Sequence, residues 1–257
     1  MSARCKEQYE GKVFKTNKYG NLIVTKYVSC KEVYVSFIET GYTTVTQMTH
    51  VLNGGVKDKF SPSVKGVGIV GDEVIQRDGK HIREYKLWQD MLGRCYYAKL
   101  HKRLPSYSDC TASNNFKYFP YFKEWCNNQV GFNSKDDKGK PFQLDKDMLL
   151  KGNNIYSENT CVFIPQEINL LLTSCKSKRG ELCVGVSLEK KSKKFVSYIN
   201  ILGEHRYLGS FNEEVEAFLV YKEAKESHIK TVANKWKDSI DSRVYDALMN
   251  YQVEIND

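Results

Sequence analysis

Between residues 11 and 50, apolar and polar side chains alternate in short runs at 12–15, 22–27, 32–37 and 42–48, with Val33, Val35 and Phe37 on one side of the third run. A period of two is the signature of half-buried strands. Tyr19-Gly20-Asn21 and Thr40-Gly41-Tyr42 between the runs carry the turn chemistry that joins antiparallel neighbours. Four short strands in so small a segment predict a strongly bent β-barrel of the SH3-like kind within residues 1–65. Gly54, Gly55, Gly66, Gly68 and Gly71, with Pro62 among them, then predict a linker. His50 stands alone and reads as an ordinary surface residue.

From residue 84 the period changes. Trp88, Met91, Leu92, Cys95 and Tyr96 fall at the spacing of an amphipathic helix, and Phe119, Phe122, Trp125 and Cys126 repeat it, with Pro120 tolerable in a first turn. A strand at 142–145, a Gly-Asn turn, an apolar run at 161–164 and a helix beginning near Pro165 follow. Beyond a polar basic linker at 176–180 come strands at 183–188, 194–201 and 206–208. A helix is then predicted from Asn212, with Glu213 and Glu214 in its first turn and Ala217, Phe218, Tyr221 and Ala224 on its apolar side. The expected fold class is α+β in three modules: the small barrel, a central strand-loop-strand-helix module with flanking helices at 80–175, and a three-stranded sheet packed on one helix at 181–257.

The chain has 257 residues, 41% of them hydrophobic, enough for two or three modules. Its start, MSARCKEQYEGKVF, has no apolar signal core, and no run of about eighteen apolar residues occurs, so an intracellular protein that does not cross a membrane is expected. Eight cysteines lack CxxC spacing and read as buried thiols of a reducing compartment. A structural Zn²⁺ held by some of Cys95, Cys110, Cys126 and Cys161 is the alternative. Lys and Arg outnumber Asp and Glu by 39 to 31, a net charge of +8 that favours a polyanion over a small-molecule substrate. The basic residues cluster at 99–103, 190–194 and 225–237, near Tyr96, Tyr97, Tyr107, Phe195, Tyr198, Tyr207 and Trp236. Such mixtures suit phosphate contacts beside sugar or base packing.

The sharpest motif runs from Leu144-Asp145-Lys146-Asp147 through Gly152-Asn153-Asn154 and Glu158-Asn159-Thr160-Cys161 to Ile164-Pro165-Gln166-Glu167-Ile168-Asn169. It resembles the HNH endonuclease family, in particular variants common in tailed phages. Trp88, Arg94-Cys95, Tyr107, Cys110 and Trp125 look like the scaffold helices that flank the motif there. The resemblance implies a ββα-metal fold that binds Mg²⁺ or Mn²⁺ through Asp145 and Asn169, with Asn159 orienting the catalytic side chain. One position departs from the family: Lys146 stands where the catalytic histidine belongs, and no histidine lies between His101 and His205. A lysine at its ordinary pKa is protonated and is no general base near neutral pH. Either Lys146 stabilises charge at the phosphate while Asp147, Glu167 or His101 takes the proton, or the module is a chemically silent descendant that binds DNA.

Residues 183–235 resemble the plant ethylene-response-factor (AP2-like) DNA-binding domain, which also occurs behind HNH modules in phage homing endonucleases. The matching residues are Gly185-Val186, Lys194 through Ile199, Tyr207-Leu208-Gly209-Ser210-Phe211, Glu216-Ala217, Tyr221 and Ala224. The family lays its three-stranded sheet in the major groove of double-stranded DNA. Strand alternation turns Phe195, Ser197 and Ile199 toward the helix and Lys194, Tyr198 and Asn200 outward. Ser187, His205, Arg206 and Tyr207 complete the expected DNA-contacting set. The two resemblances together imply a phage homing endonuclease, or a regulator derived from one, in the cytoplasm of a bacterial host.

Overall fold

The computed structural model describes residues 3–172, 181–201 and 203–255, with side chains from residue 6 onward. The predicted linker at 176–180 lies outside them. The chain is mixed α+β, and it divides into two compact units, Met1–Trp125 and Cys126–Asp257. The barrel region and the first predicted helices therefore fall in one unit. The strand-loop-strand-helix region and the C-terminal sheet fall in the other.

The first unit opens with α1 (Ala3–Tyr9) and an antiparallel meander of β1 (Val13–Lys15), β2 (Asn21–Ser29), β3 (Glu32–Phe37) and β4 (Thr43–Thr46), paired in that order. The alternation seen in the sequence is realised: Leu22, Val24, Val33, Val35 and Phe37 are buried, and their polar neighbours point away. The sheet is not a closed barrel, which corrects the sequence expectation. Its outer strands have three and four residues, too short to meet around a closed wall. The apolar face is covered instead by Met48 and Val51 of α2 (Met48–Leu52), with Tyr9 of α1 packed at its margin.

The predicted linker is not a linker. Past the hairpin pair β5 (Gln76–Arg77) and β6 (Lys80–His81) lies the helix α3 (Arg83–Tyr96), and the glycine segment packs on it. A Cβ at Gly68 would come within 2.5 Å of Leu92 Cδ1 and 2.8 Å of the Trp88 ring. Ile69 exchanges backbone hydrogen bonds with Lys117 and Phe119, both at 2.9 Å. The short helix α4 (Ala98–Arg103), β7 (Thr111–Ala112) and α5 (Phe119–Asn127) complete this part. Its core is aromatic: Trp88 lies 5.3 Å from Phe119 between ring centroids, Phe116 lies 4.8 Å from Trp125, and Trp88 Nε1 donates to the Phe116 carbonyl at 2.7 Å.

The second unit holds β8 (Gln143–Asp145), β9 (Ile155–Tyr156), β10 (Val162–Ile164) and α6 (Gln166–Leu171). The strands β8 and β10 pair antiparallel with Asp145 opposite Val162 and Leu144 opposite Phe163. Then come β11 (Val186–Leu188), β12 (Phe195–Ile201) and β13 (Glu204–Phe211), a three-stranded antiparallel sheet, followed by α7 (Glu214–Trp236) and α8 (Ser242–Met249). The long helix starts two residues after the predicted cap Asn212, and Glu213 occupies its N-cap position. In its first turn the Glu214 carboxylate accepts the Cys183 amide at 2.6 Å, and the Cys183 side chain first, then this amide, hold the carboxyl below its ordinary pKa.

Ala217 and Phe218 of α7 are buried on the side that meets the sheet, and Ile229, Val232, Ala233 and Trp236 continue the buried stripe past it. Trp236 meets Phe142 edge-on at 5.6 Å, and its Nε1 donates to Glu167 of α6 at 2.8 Å. One helix thus serves two cores. Gly185 marks where the sheet touches it: the residue has φ +75° and lies against the face of Tyr221, with no room for a Cβ. Gly185→Ala is expected to cost about 2–4 kcal/mol, combining left-handed strain with overpacking. Chemical denaturation checks it, and a destabilisation below about 0.5 kcal/mol would contradict the packing described.

Candidate functional site

Asp145 ends β8, and its carboxylate caps the turn that follows. Its Oδ1 accepts the amides of Asp147 at 3.0 Å and Met148 at 2.7 Å. Burial, and next the neighbouring Asp147 carboxylate, push the Asp145 carboxyl up to about 6. Two acidic groups are therefore held together against their repulsion. Hard oxygen donors of this kind are what a divalent cation takes, usually one or two carboxylates with water completing the shell.

Asn169 sits on α6 and donates from Nδ2 to Gln143 Oε1 at 2.8 Å. Gln143 and Asp145 are two apart on β8, so they share a face of the strand, roughly 7 Å along it. The strand-loop-strand-helix unit thereby brings Asn169 to the face that carries Asp145. Among the described residues, no group of three or more His, Cys, Asp or Glu side chains is gathered as a metal set. Cys95, Cys110, Cys126 and Cys161 are each buried.

Lys146, the residue after Asp145, is 8% exposed. Its ammonium donates to the Asn153 carbonyl at 2.6 Å and pairs with Asp147 Oδ2 at 3.1 Å. Asn153 returns the contact: its Nδ2 donates to the carbonyls of Lys146 at 2.6 Å and Ile155 at 2.7 Å. Side chain and backbone of these two residues thus clasp the loop between β8 and β9. Asn159, the residue expected to orient the catalytic side chain, is exposed and contributes its carbonyl to Arg243 at 3.4 Å. The amide that spans the loop belongs to Asn153, which the motif alone places in the connecting turn. Asn154 is exposed.

The other groups considered as a base are engaged elsewhere. Glu167 Oε2 takes the Trp236 indole and, at 2.6 Å, the Lys235 ammonium. His101 Nε2 donates to the Arg94 carbonyl at 2.7 Å within the first unit. Asp147, with its side chain 48% exposed, remains beside Asp145.

On the C-terminal sheet, Tyr198 stands opposite Tyr207 and Asn200 opposite His205. The two tyrosine rings meet edge to face at 5.5 Å and are 43% and 59% exposed. Ser187 and Lys194 are exposed at the start of the sheet. Ser197 and Ile199 are buried, as alternation expects, and Val196 is buried as well. Asn200 Oδ1 accepts the Gly203 amide at 2.9 Å, so it also braces its hairpin.

Arg206 does not join this set. It pairs with Ile199, on the opposite face, and lines a cavity of about 430 Å³ with Glu167, Ile201, His228, Thr231 and Lys235. Burial, followed by the charge of Lys225, lowers the pKa of His228 there. No helix among the described residues is long and apolar enough to cross a membrane. Comparison of the chain with protein-family models, curated proteins and solved structures finds no match.

Proposed function

We propose that the chain is a DNA-binding protein of the HNH-endonuclease type, in which the β11–β13 sheet reads double-stranded DNA and the β8–β10–α6 unit cuts or nicks its backbone. The observation that carries this reading is the position of Asp145, at a strand end beside Asp147, on the face to which α6 brings Asn169. Mg²⁺ or Mn²⁺ would be held by Asp145 and Asn169, with Asp147 adjacent. When bound, such an ion supplies Lewis acidity at the phosphate and makes its water more acidic. Asp147 is the chain's own group best exposed to accept a proton, while Lys146 and Asn153 hold the loop that presents both aspartates. The outer face of Tyr198, Asn200, His205 and Tyr207, with Ser187 and Lys194, contacts the groove.

A second reading has a specific observation in its favour: the position that carries the family's histidine holds a buried ammonium that donates to the Asn153 carbonyl and the Asp147 carboxylate. On that reading the protein is a catalytically silent, sequence-specific regulator or interference protein. On either, it works on duplex DNA in the cytoplasm of a bacterial host.

Supercoiled plasmid with Mg²⁺ or Mn²⁺ tests the two, with Asp145→Asn as the informative variant. Asparagine keeps an oxygen for the Asp147 and Met148 amides but removes the charge. Nicking by the wild type that disappears in the variant is the expected result. Nicking that survives would rule out this site, and gel retardation without cleavage would favour the regulator. The variant also has a stability signature. Because the folded-state pKa of Asp145 is raised, ionisation is the state the fold disfavours, and the wild type loses stability as pH rises from about 4 through about 6. Asp145→Asn escapes that loss. It should be more stable than wild type by about 1 kcal/mol at neutral pH and no more stable near pH 4, as read by thermal melting across pH.

A further inference from the structure

The first unit carries a cationic corner that the proposed function does not use. Residues 91–108 contain Arg94, Lys99, Lys102 and Arg103 and no Asp or Glu. The helix α4 has no buried residue, and Lys99, Lys102 and Arg103 fall at i, i+3 and i+4, so they stand exposed on one side of it. The bond from His101 to the Arg94 carbonyl pins α4 to the end of α3.

Further cations are brought to the same corner and held over tyrosine rings. Lys65 takes a left-handed backbone, φ +53°, uncommon for a non-glycine residue. Its Cε passes over Gly93, where a Cβ would lie 3.7 Å away, and its ammonium sits 4.3 Å from the centre of the Tyr97 ring. The Arg94 guanidinium lies 5.5 Å from the Tyr107 ring centre, and the Lys117 ammonium 5.9 Å from that of Tyr96. Lys65, Lys99, Lys102 and Arg103 have no ion-pair partner among the described residues. Like charges gathered without acids repel one another, and a polyanion offsets that cost while gaining from the release of its counterions.

We propose that this corner, built by Lys65, Arg94, Lys99, Lys102, Arg103 and Lys117 around Tyr96, Tyr97 and Tyr107, is a second DNA-binding surface that grips the phosphate backbone without reading sequence. It takes the duplex DNA of the proposed function as its polyanion and so rests on that reading, but it predicts a different observable. Removing one cation from a phosphate lowers the slope of log affinity against log salt by about 0.9, whatever the sequence.

The test uses the full chain and fluorescence anisotropy with a short random-sequence duplex across a KCl series. Combined Lys99→Gln, Lys102→Gln and Arg103→Gln should make the slope shallower by about 2–3 and weaken binding on the order of tenfold or more. The set of sequences enriched from a random duplex library should stay the same. Arginine at 99 and 102, with Arg103 kept, should restore the slope. By contrast, Tyr198→Ala with Tyr207→Ala should broaden the enriched set and leave the salt slope nearly intact. A wild-type slope in the glutamine variant overturns the second surface and leaves the sheet's role standing. An unchanged enriched set in the tyrosine variant sinks the sheet's role alone, and a wild-type chain with no salt-dependent duplex binding overturns both.

Discussion

Replacing Lys146 with histidine is expected to raise the rate of metal-dependent plasmid nicking by about 10²–10⁴-fold, the usual contribution of a positioned general base. The native ammonium already donates to the Asn153 carbonyl and the Asp147 carboxylate, so it offers no lone pair to an attacking water. An imidazole with an ordinary pKa is largely neutral at pH 7 and does. The backbone at 146 would still be held by the Asn153 amide, which donates to the Lys146 carbonyl at 2.6 Å. The cost is the missing donor to the Asn153 carbonyl, about 1–3 kcal/mol of stability. Nicking by Lys146→His alone, with a silent wild type, supports descent from a nuclease that lost its base. Nicking by both, faster in the variant, supports a slow native enzyme. A variant that binds DNA and melts cooperatively but never nicks would sink the assignment of an HNH-like unit to 143–171.

Where sequence reading worked, it worked through periodicity. Alternation placed Val33, Val35 and Phe37 in one core and Ser197 and Ile199 in another, because a buried sheet face admits only one parity. Applied strictly it also pairs Arg206 with Leu208, two residues on. The charge of Arg206 suggests a place at DNA, yet the residue lies on the helix side with Ile199. Charge was the weaker guide. The two asparagines show the opposite limit: Asn153 before β9 and Asn159 after it lie in polar turns with no period, and only the chain's path decides which amide folds back to residue 146. The hairpin at 76–81 carried a legible Asp78-Gly79 turn, both residues at positive φ, but strands of two residues are too short to show alternation. The second half of α7 was obscured by Lys225, Lys230 and Lys235 within it and Lys237 just past its end. Their charge suggests a solvated face, although long aliphatic stems let lysines flank a buried stripe.

That hidden half carries the largest stability effect expected for the second unit. Trp236 is 7% exposed, packs on Phe142, donates to Glu167 and lies under the Lys235 ammonium at 4.8 Å. Trp236→Ala removes these together and should cost about 3–5 kcal/mol. Glu167 keeps Lys235 as a partner, which limits the penalty for an orphaned carboxylate. Trp236→Phe should recover most of the packing and cost only the hydrogen bond, about 1–2 kcal/mol. The mode of unfolding is as informative as the size. Because α7 is packed by the β11–β13 sheet at one end and by Phe142 and Glu167 at the other, residues 126–257 should unfold in a single denaturant transition in the wild type. In Trp236→Ala that transition should broaden or split, as the sheet keeps its half of the helix while the β8–β10–α6 unit loses its support. A single sharp transition at an unchanged midpoint would mean that the two halves never shared a core, and that α7 is only a tether between them.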